Sequence, residues 1–305
     1  MILTPNQVEE LLKIIDHNHL VFIGENLGIE YLSTSDKEVL TNSGIDINDL
    51  YLPENDALLT SFHLGLLSDA LRDNINTLSF DDLKNYVKKG HYIPLTQTEK
   101  YTLNIIKNQA LKDIKTLKGN IFNDVNQILV DKSLEGQRKF LREEQTKGLY
   151  DKKTVKQIAN DIARKTGDWT RNFDRIVEYN CQSAFEGGKA EYIANTYGED
   201  SLVYKSVFEG ACKHCVSLYL TKGVGSEPRI FKLSELIANG TNIGRKTAEW
   251  KPTISPLHPF CRCMLFYTQK GNKWNPGSKS FDITTPSKRI RPKVELTIGD
   301  KKYWV

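Results

Sequence analysis

Long apolar runs are missing from this sequence. Nowhere do ~18 apolar residues follow one another, the length a membrane-spanning helix requires, so no bilayer crossing is expected. The opening MILTPNQVEE turns polar and acidic at once. It lacks the basic lead and apolar stretch of a secretory signal, which argues for folding in the cytoplasm. Several enzyme signatures are missing too. There is no His-Glu-x-x-His for a metalloprotease, no Gly-x4-Gly-Lys-Ser/Thr for a phosphate loop and no Gly-x-Ser-x-Gly for a serine hydrolase. The glycines of KGVGSEP (222–228) lack the Lys-Ser/Thr that a phosphate loop needs and read as a turn. Internal repeats and low-complexity tracts are also absent, which excludes solenoid architectures.

What is present is a polar globular composition: 39% hydrophobic and 26% charged residues, with a mean hydropathy of −0.45. This excludes collagen-like, purely coiled-coil and wholly disordered chains. The 305 residues suit two domains of ~150 each. The net charge of +4 conceals a polarity. Residues 1–99 hold 6 Lys/Arg against 16 Asp/Glu, residues 100–269 hold 27 against 19, and residues 270–305 hold 9 against 3. Such a chain can offer an acidic surface to one partner and a basic tail to an acidic partner, protein or DNA.

Four regions follow from the patterning. Residues 1–95 read as an acidic helical bundle. Thr4 and Gln7 form a capping box ahead of the first helix, Ser35 and Glu38 repeat the device, and Gly44 stops the second. Leu58, Leu59, Phe62, Leu66, Leu67 and Leu71 make one stripe within a helix over 53–73, and Ser79 caps a short helix that Gly90 ends. Residues 96–198 read as long helices. Thr96 and Glu99 box the first, which runs to about residue 131 with Leu103, Ile106, Ala110, Ile114, Leu117 and Ile121 on a buried face. Two more are predicted over 151–166 and 168–197, and Gly187-Gly188 marks either a kink or a closely packed neighbour. In 199–269 the pattern changes: 202–208 and 263–268 are strands by composition, and SELIANG is a helix capped by Ser234 and stopped by Gly240. Residues 270–305 are an extended basic arm whose VELTI and KKYWV are candidate strands for pairing on another surface. The class is therefore α+β: a mostly helical N-terminal two-thirds, a small β-containing Cys/His module and a basic tail.

The chemistry concentrates in that module. Cys212-Lys-His-Cys215 is a Cys-x-x-Cys, and His258-Pro-Phe-Cys261-Arg-Cys263 repeats the two-residue gap between His258 and Cys261. In a cytoplasmic chain such pairs point to metal before disulfides. Thiolate with imidazole favours a tetrahedral zinc ion, and an ion can staple a module of about seventy residues whose apolar core is small. The fourth ligand is open: Cys263 lies two residues from Cys261, on the same side of an extended strand, and can replace His258. His214, inside the first knuckle, points away. The alternatives are two disulfides, or reduced cysteines serving as small core residues. The remaining cysteine, Cys181, reads as a buried structural thiol in a helix. Three thiolates favour a closed structural site over one with an open water position.

TVKQIANDIARKT, EYNCQSAFEGGKAEYI, YKSVFEGACKHCVSL and the closing PLHPFCRC together resemble the phage minor head proteins typified by the Mu F protein. The likeness covers roughly residues 150–268, and its specific part is His-Pro-Phe-Cys-Arg-Cys with an upstream Cys-x-x-Cys. FKLSELIANGTNIGRKTAEWKPTISP fills the gap as a spacer. Residues 1–95 and the tail fall outside it. The resemblance implies a low-copy, non-enzymatic component of a tailed-phage head, at the portal vertex or in the head interior. It implies assembly in the host cytoplasm with the portal protein and the major capsid protein, and contact with phage DNA through the basic regions. It makes Cys212, Cys215, His258 and Cys261 the metal or fold-defining set, with Cys263 in reserve. Arg262 would project toward an acidic partner or DNA. Two other classes compete. A zinc-dependent nuclease or toxin-like effector would use polar residues of 222–251, such as Glu227, Arg229, Glu235, Arg245 and Glu249, but their spacing identifies no reaction. A zinc-ribbon nucleic-acid adaptor would need a recognition helix beside the knuckles, and none is evident.

Overall fold

The computed structural model of the chain describes residues 5–53, 56–71, 78, 80–89, 93–143, 153–282, 288–298 and 301–304. Helices come first: α1 (Pro5–Asn26), α2 (Thr34–Asn42), α3 (Ile47–Leu50), α4 (Ala57–Ala70), α5 (Phe80–Lys88), α6 (Gln97–Glu143) and α7 (Lys153–Tyr197). Short elements follow: β1 (Leu202–Ser206), α8 (Lys213–Tyr219), β2 (Ile230–Lys232), α9 (Leu233–Ala238), β3 (Met264–Thr268), β4 (Lys273–Asn275), β5 (Ser280–Asp282), β6 (Glu295–Ile298) and β7 (Lys301–Trp304). This is the α+β class that the patterning predicts, with helices in the N-terminal part and small strands after. Among the described residues, no helix is long and apolar enough to cross a membrane.

Contacts divide the chain into two compact units, Met1–Leu50 with Ala110–Ile176, and Tyr51–Gln109 with Val177–Val305. In the first, α1, α2 and α3 pack together and bury Leu20, Ile23, Leu27, Leu32 and Leu40. The capping box of α2 sits two residues earlier than its sequence suggests. Ser33 accepts from the Asp36 amide at 3.2 Å and its own amide donates to the Asp36 carboxylate at 3.0 Å. Thr4 and Ser79, the caps expected for α1 and α5, lie outside the described residues, as does Gly90.

The second unit holds the cysteines. Its helical part is built on a close approach of α4 to α7. A Cβ added at Gly65 would meet the Phe185 carbonyl oxygen at 2.0 Å, and one at Gly188 would meet that of Phe62 at 2.1 Å. Only glycine lets two backbones come that near. Of the two readings of Gly187-Gly188, the packed neighbour is therefore the operative one, and α7 runs through both without interruption. It also runs through Gly167, where the sequence suggests two helices. A single glycine disfavours a helix by only ~1 kcal/mol, too little to end one this long. Among the described residues of this unit, three ammonium–carboxylate pairs are buried: Lys107–Asp56 at 2.5 Å, Lys189–Asp69 at 3.0 Å and Lys205–Glu186 at 3.4 Å. The Thr96–Glu99 box on α6 forms as predicted, and the buried Glu99 carboxylate also accepts from Asn195 and Arg291.

The sheet is antiparallel, ordered β2-β1-β3, with Val203 opposite Phe231 on one side and Tyr267 on the other. The end of α7 closes one face. Ala190 and Ile193 pack with Val203, Leu233, Leu236 and Leu265. Helix α9 starts at Leu233, and Ser234 is not its cap but donates to Asp200 at 2.8 Å. The basic arm carries two hairpins. Trp274 and Phe281 of β4 and β5 stand edge-on to Tyr204. Strands β6 and β7 pair with each other, and their Leu296, Ile298 and Tyr303 pack with Leu64, Leu67, Leu71, Leu83 and Val87 of α4 and α5.

Candidate metal centre

Two loops bring the donors together. The first leaves β1 and enters α8, where Cys212 is the N-cap residue. Its backbone is extended and its sulfur accepts the Cys215 amide at 3.5 Å. A cap and the third residue of the first turn lie on one side of a helix, so both sulfurs face the same way, 3.7 Å apart. The second loop enters β3. The Cys261 amide closes a turn onto the His258 carbonyl at 3.2 Å, and Phe260 takes a left-handed φ of 62°. Residues 261 and 263 then project to the same side, as alternate residues of an extended chain do.

The sulfurs and the imidazole converge. His258 Nε2 lies 3.2 Å from Cys212 Sγ and 3.8 Å from Cys215 Sγ, and Cys215 Sγ lies 3.6 Å from Cys261 Sγ. Donors bound ~2.0–2.3 Å from one tetrahedral ion sit ~3.5–3.8 Å from one another, so these separations suit a shared ion. Cys212, Cys215 and His258 form one triad and Cys215, Cys261 and Cys263 a second, with all donor atoms of each within 4.8 Å of one another. Cys215 belongs to both. His258 Nδ1–H donates to the Pro259 carbonyl at 2.7 Å, which fixes the tautomer and leaves the Nε2 lone pair facing the sulfurs. All five residues singled out in the sequence are thus brought to one place. They can hold a metal ion in the protein's interior: Cys215, Cys261 and Cys263 are 1%, 4% and 1% exposed.

Proton sharing ties the inner sulfurs together. Hydrogen bonds from Cys215 and Cys263 hold the Cys261 thiol far below the ordinary range. The same contact, together with burial, drives Cys215 up, and Cys263 is pushed up to about 11. On the solvent side, burial alone would raise Cys212. Bonds from the Cys215 amide and thiol and from His258 outweigh it, and the thiol stands below its usual value.

Helix α7 supports the second loop with a column of side chains four residues apart, Glu178, Gln182 and Glu186. Glu178 accepts the Phe260 amide at 2.6 Å and also pairs with Arg262. Glu186 accepts the Leu265 amide at 2.8 Å and Gln182 at 3.2 Å. Arg262, expected to reach for an outside partner, is engaged within the unit. Burial pushes the Glu186 carboxyl up, against the pull of Lys205 and Lys189. Lys205, wholly buried on β1, donates to the Ile254 and Ser255 carbonyls. Burial would discharge it, but Glu186, Tyr219 and the nearby thiols hold the ammonium above the usual range. The spacer between the cysteine pairs is tethered. The Tyr219 hydroxyl accepts the Thr253 amide and donates to its carbonyl, and Asn242 bonds Lys251 through both its side-chain atoms. Trp250 stacks near His258 and meets His214 edge-on, and His214 belongs to neither triad.

Glu178, Glu186, Lys205 and Trp250 carry no signal that singles them out in sequence. For Glu178 and Glu186 the one trace is their place with Gln182 in a polar column on α7, which reads equally well as a solvated helix face. Cys181 stands apart on α7, half-buried, its thiol raised by burial and bonded to Ser61. Set against family models, curated proteins and solved structures, the chain finds no match.

Proposed function

We propose that this protein is a structural, non-enzymatic minor head protein of a tailed phage, held at the portal vertex, and that its cysteine centre binds zinc. The observation that carries the reading is the convergence of Cys212, Cys215, His258, Cys261 and Cys263 in two triads that share the buried Cys215. These are the two motifs on which the resemblance to the Mu F type of minor head protein rests. Sulfur-rich donors with one imidazole at tetrahedral spacing favour zinc over the oxygen-seeking calcium and magnesium. With five donors for four positions, no coordination place is left for a substrate or an activated water, so the ion would serve folding and not chemistry. The acidic N-terminal region would face the portal. The major capsid protein and packaged DNA are the natural neighbours of the basic remainder and arm.

The test combines composition with location. The purified chain is expected to carry one zinc per molecule by elemental analysis, and the protein is expected in intact particles at the single portal-bearing vertex. A chain that takes up no zinc ends the metal half of the reading. A chain missing from purified particles ends the virion half. Retention on DNA should fall steeply with salt, and retention unchanged in 0.5 M salt, a concentration of roughly several times physiological, would remove DNA from the list of partners.

A further inference from the structure

We propose that Cys212 and Cys215 form a reversible redox latch, in which a hydroperoxide joins them as a disulfide and thereby releases the ion that holds the two loops together. The inference rests on the metal reading and adds its regulation. Three observations carry it. The five donors are not equally placed: Cys212 and His258 are half-buried, whereas Cys215, Cys261 and Cys263 are sealed inside. An oxidant arriving from solvent therefore meets Cys212 before any other sulfur of the centre. Next, Cys215 Sγ stands 3.7 Å from Cys212 Sγ. Side-chain rotation over less than ~2 Å brings the two to the ~2.05 Å of a disulfide. Last, Cys215 is the donor common to both triads. Losing Cys212 alone leaves Cys215, His258, Cys261 and Cys263, still four donors. Losing Cys212 and Cys215 together leaves three, and neither triad survives.

The chemistry balances without any group beyond the named oxidant. The Cys212 thiolate attacks one peroxide oxygen, the O–O bond breaks, and a sulfenic acid and hydroxide result. The Cys215 thiolate then attacks that sulfur, forms the S–S bond and expels a second hydroxide. Two thiolates are oxidised, one peroxide is reduced, and both hydroxides take up protons to become water. Ligated cysteines are already thiolates, so no proton has to leave first. Cys181 supplies an internal control: it is half-buried, but its thiol is bonded to Ser61 and is no part of the donor cluster, so it should stay unmodified.

The experiment uses the full chain loaded with zinc and titrated with hydrogen peroxide. A chromogenic zinc indicator follows release while peptide mass mapping follows each cysteine. The expected result is one zinc released per chain, in step with loss of two hydrogens from the peptide holding Cys212 and Cys215, and recapture after tris(2-carboxyethyl)phosphine. Cys212→Ser should keep its zinc and release it about tenfold more slowly under the same oxidant, because the accessible thiolate is gone. Release while that peptide keeps both thiols, first oxidation at Cys181 or at Cys261 and Cys263, or zinc retained after the link forms would each overturn the latch. A chain that never takes zinc sinks the metal reading instead. Mapping of that chain still decides whether Cys212 and Cys215 join.

Discussion

Within one compact unit, two regions are held together by opposite means. The contact of α4 with α7 depends on what is missing: with no side chain at Gly65 and Gly188, carbonyl oxygens of Phe185 and Phe62 come to within 2.0 and 2.1 Å of where a Cβ would stand. The cysteine region depends on what is present, five donor atoms drawn from two distant loops. The first kind of contact forgives no added atom. The second tolerates varied loops between its donors, because a metal ion fixes distances whatever the intervening chain does. The difference predicts that damage to one region should leave a recognisable part of the other.

The largest effect should come from the donors. Chelation of the ion, or Cys215→Ser, should lower the stability of the cysteine region by about 5 kcal/mol or more, since binding energy in such sites is folding energy. Near-UV dichroism of Trp250, stacked beside His258, reports it. Far-UV helical signal should persist at the same temperature. Simultaneous loss of both signals would show the two regions to be one cooperative body. Cys212→Ser should lower the melting temperature by less than Cys215→Ser, because only Cys215 serves both triads.

Next comes the helical contact. Gly188→Val or Gly65→Val forces two backbones apart and should cost ~3 kcal/mol or more in urea unfolding. Zinc content should stay unchanged, because no donor atom is among those nearest to either glycine. Zinc lost along with the helices would mean that α7 transmits the damage to the second loop through Glu178 and Glu186.

These two regions were not equally legible in the sequence. The donors could be named one by one, because thiol and imidazole at fixed short spacings have few other uses in a reduced protein. The helix stripe of α4 and the box at Thr96 were also readable, being local patterns. The glycine contact was visible only as an ambiguity at residues 187–188, since its other half, Gly65, lies more than a hundred residues away. Lys205 was hidden by its strand. A charged residue in YKSVF suggests a solvent-facing side, yet β1 is covered on both faces, and Lys205 is buried against Glu186 and the 254–255 carbonyls. In the arm, VELTI and KKYWV were legible as strands, though they pair with each other rather than on another surface, whereas β4 and β5, three residues each, were too short to show a period.

Acid should separate the regions again. Burial holds the His63 imidazole down to about 4, against an ordinary value near 6.5. The folded state thus binds its proton later than the unfolded state. The stability this group confers is fully present above pH ~6.5 and is lost as the pH falls toward 4, by up to ~3 kcal/mol at ~1.4 kcal/mol per unit. His63→Leu should flatten that part of the pH profile of helix unfolding.

The smallest effects lie where the two regions meet, at Glu178, and they separate the two jobs of one carboxylate. Arg262 is half exposed, so its pair with Glu178 is screened by water, and Arg262→Ala should cost less than ~1 kcal/mol. Glu178→Ala should cost more, ~1–2 kcal/mol, because it also orphans the Phe260 amide at the one left-handed residue of the donor loop. Phe260→Gly relieves that conformation, which disfavours a residue with a Cβ by ~1–2 kcal/mol, though glycine gives part of this back in unfolded-state entropy. In the Glu178→Ala background the same change should recover more stability than in the wild type, since the strain is then unsupported. Equal gains in both backgrounds would mean that the Glu178 bond does nothing to hold the turn, and that the donors alone set the loop.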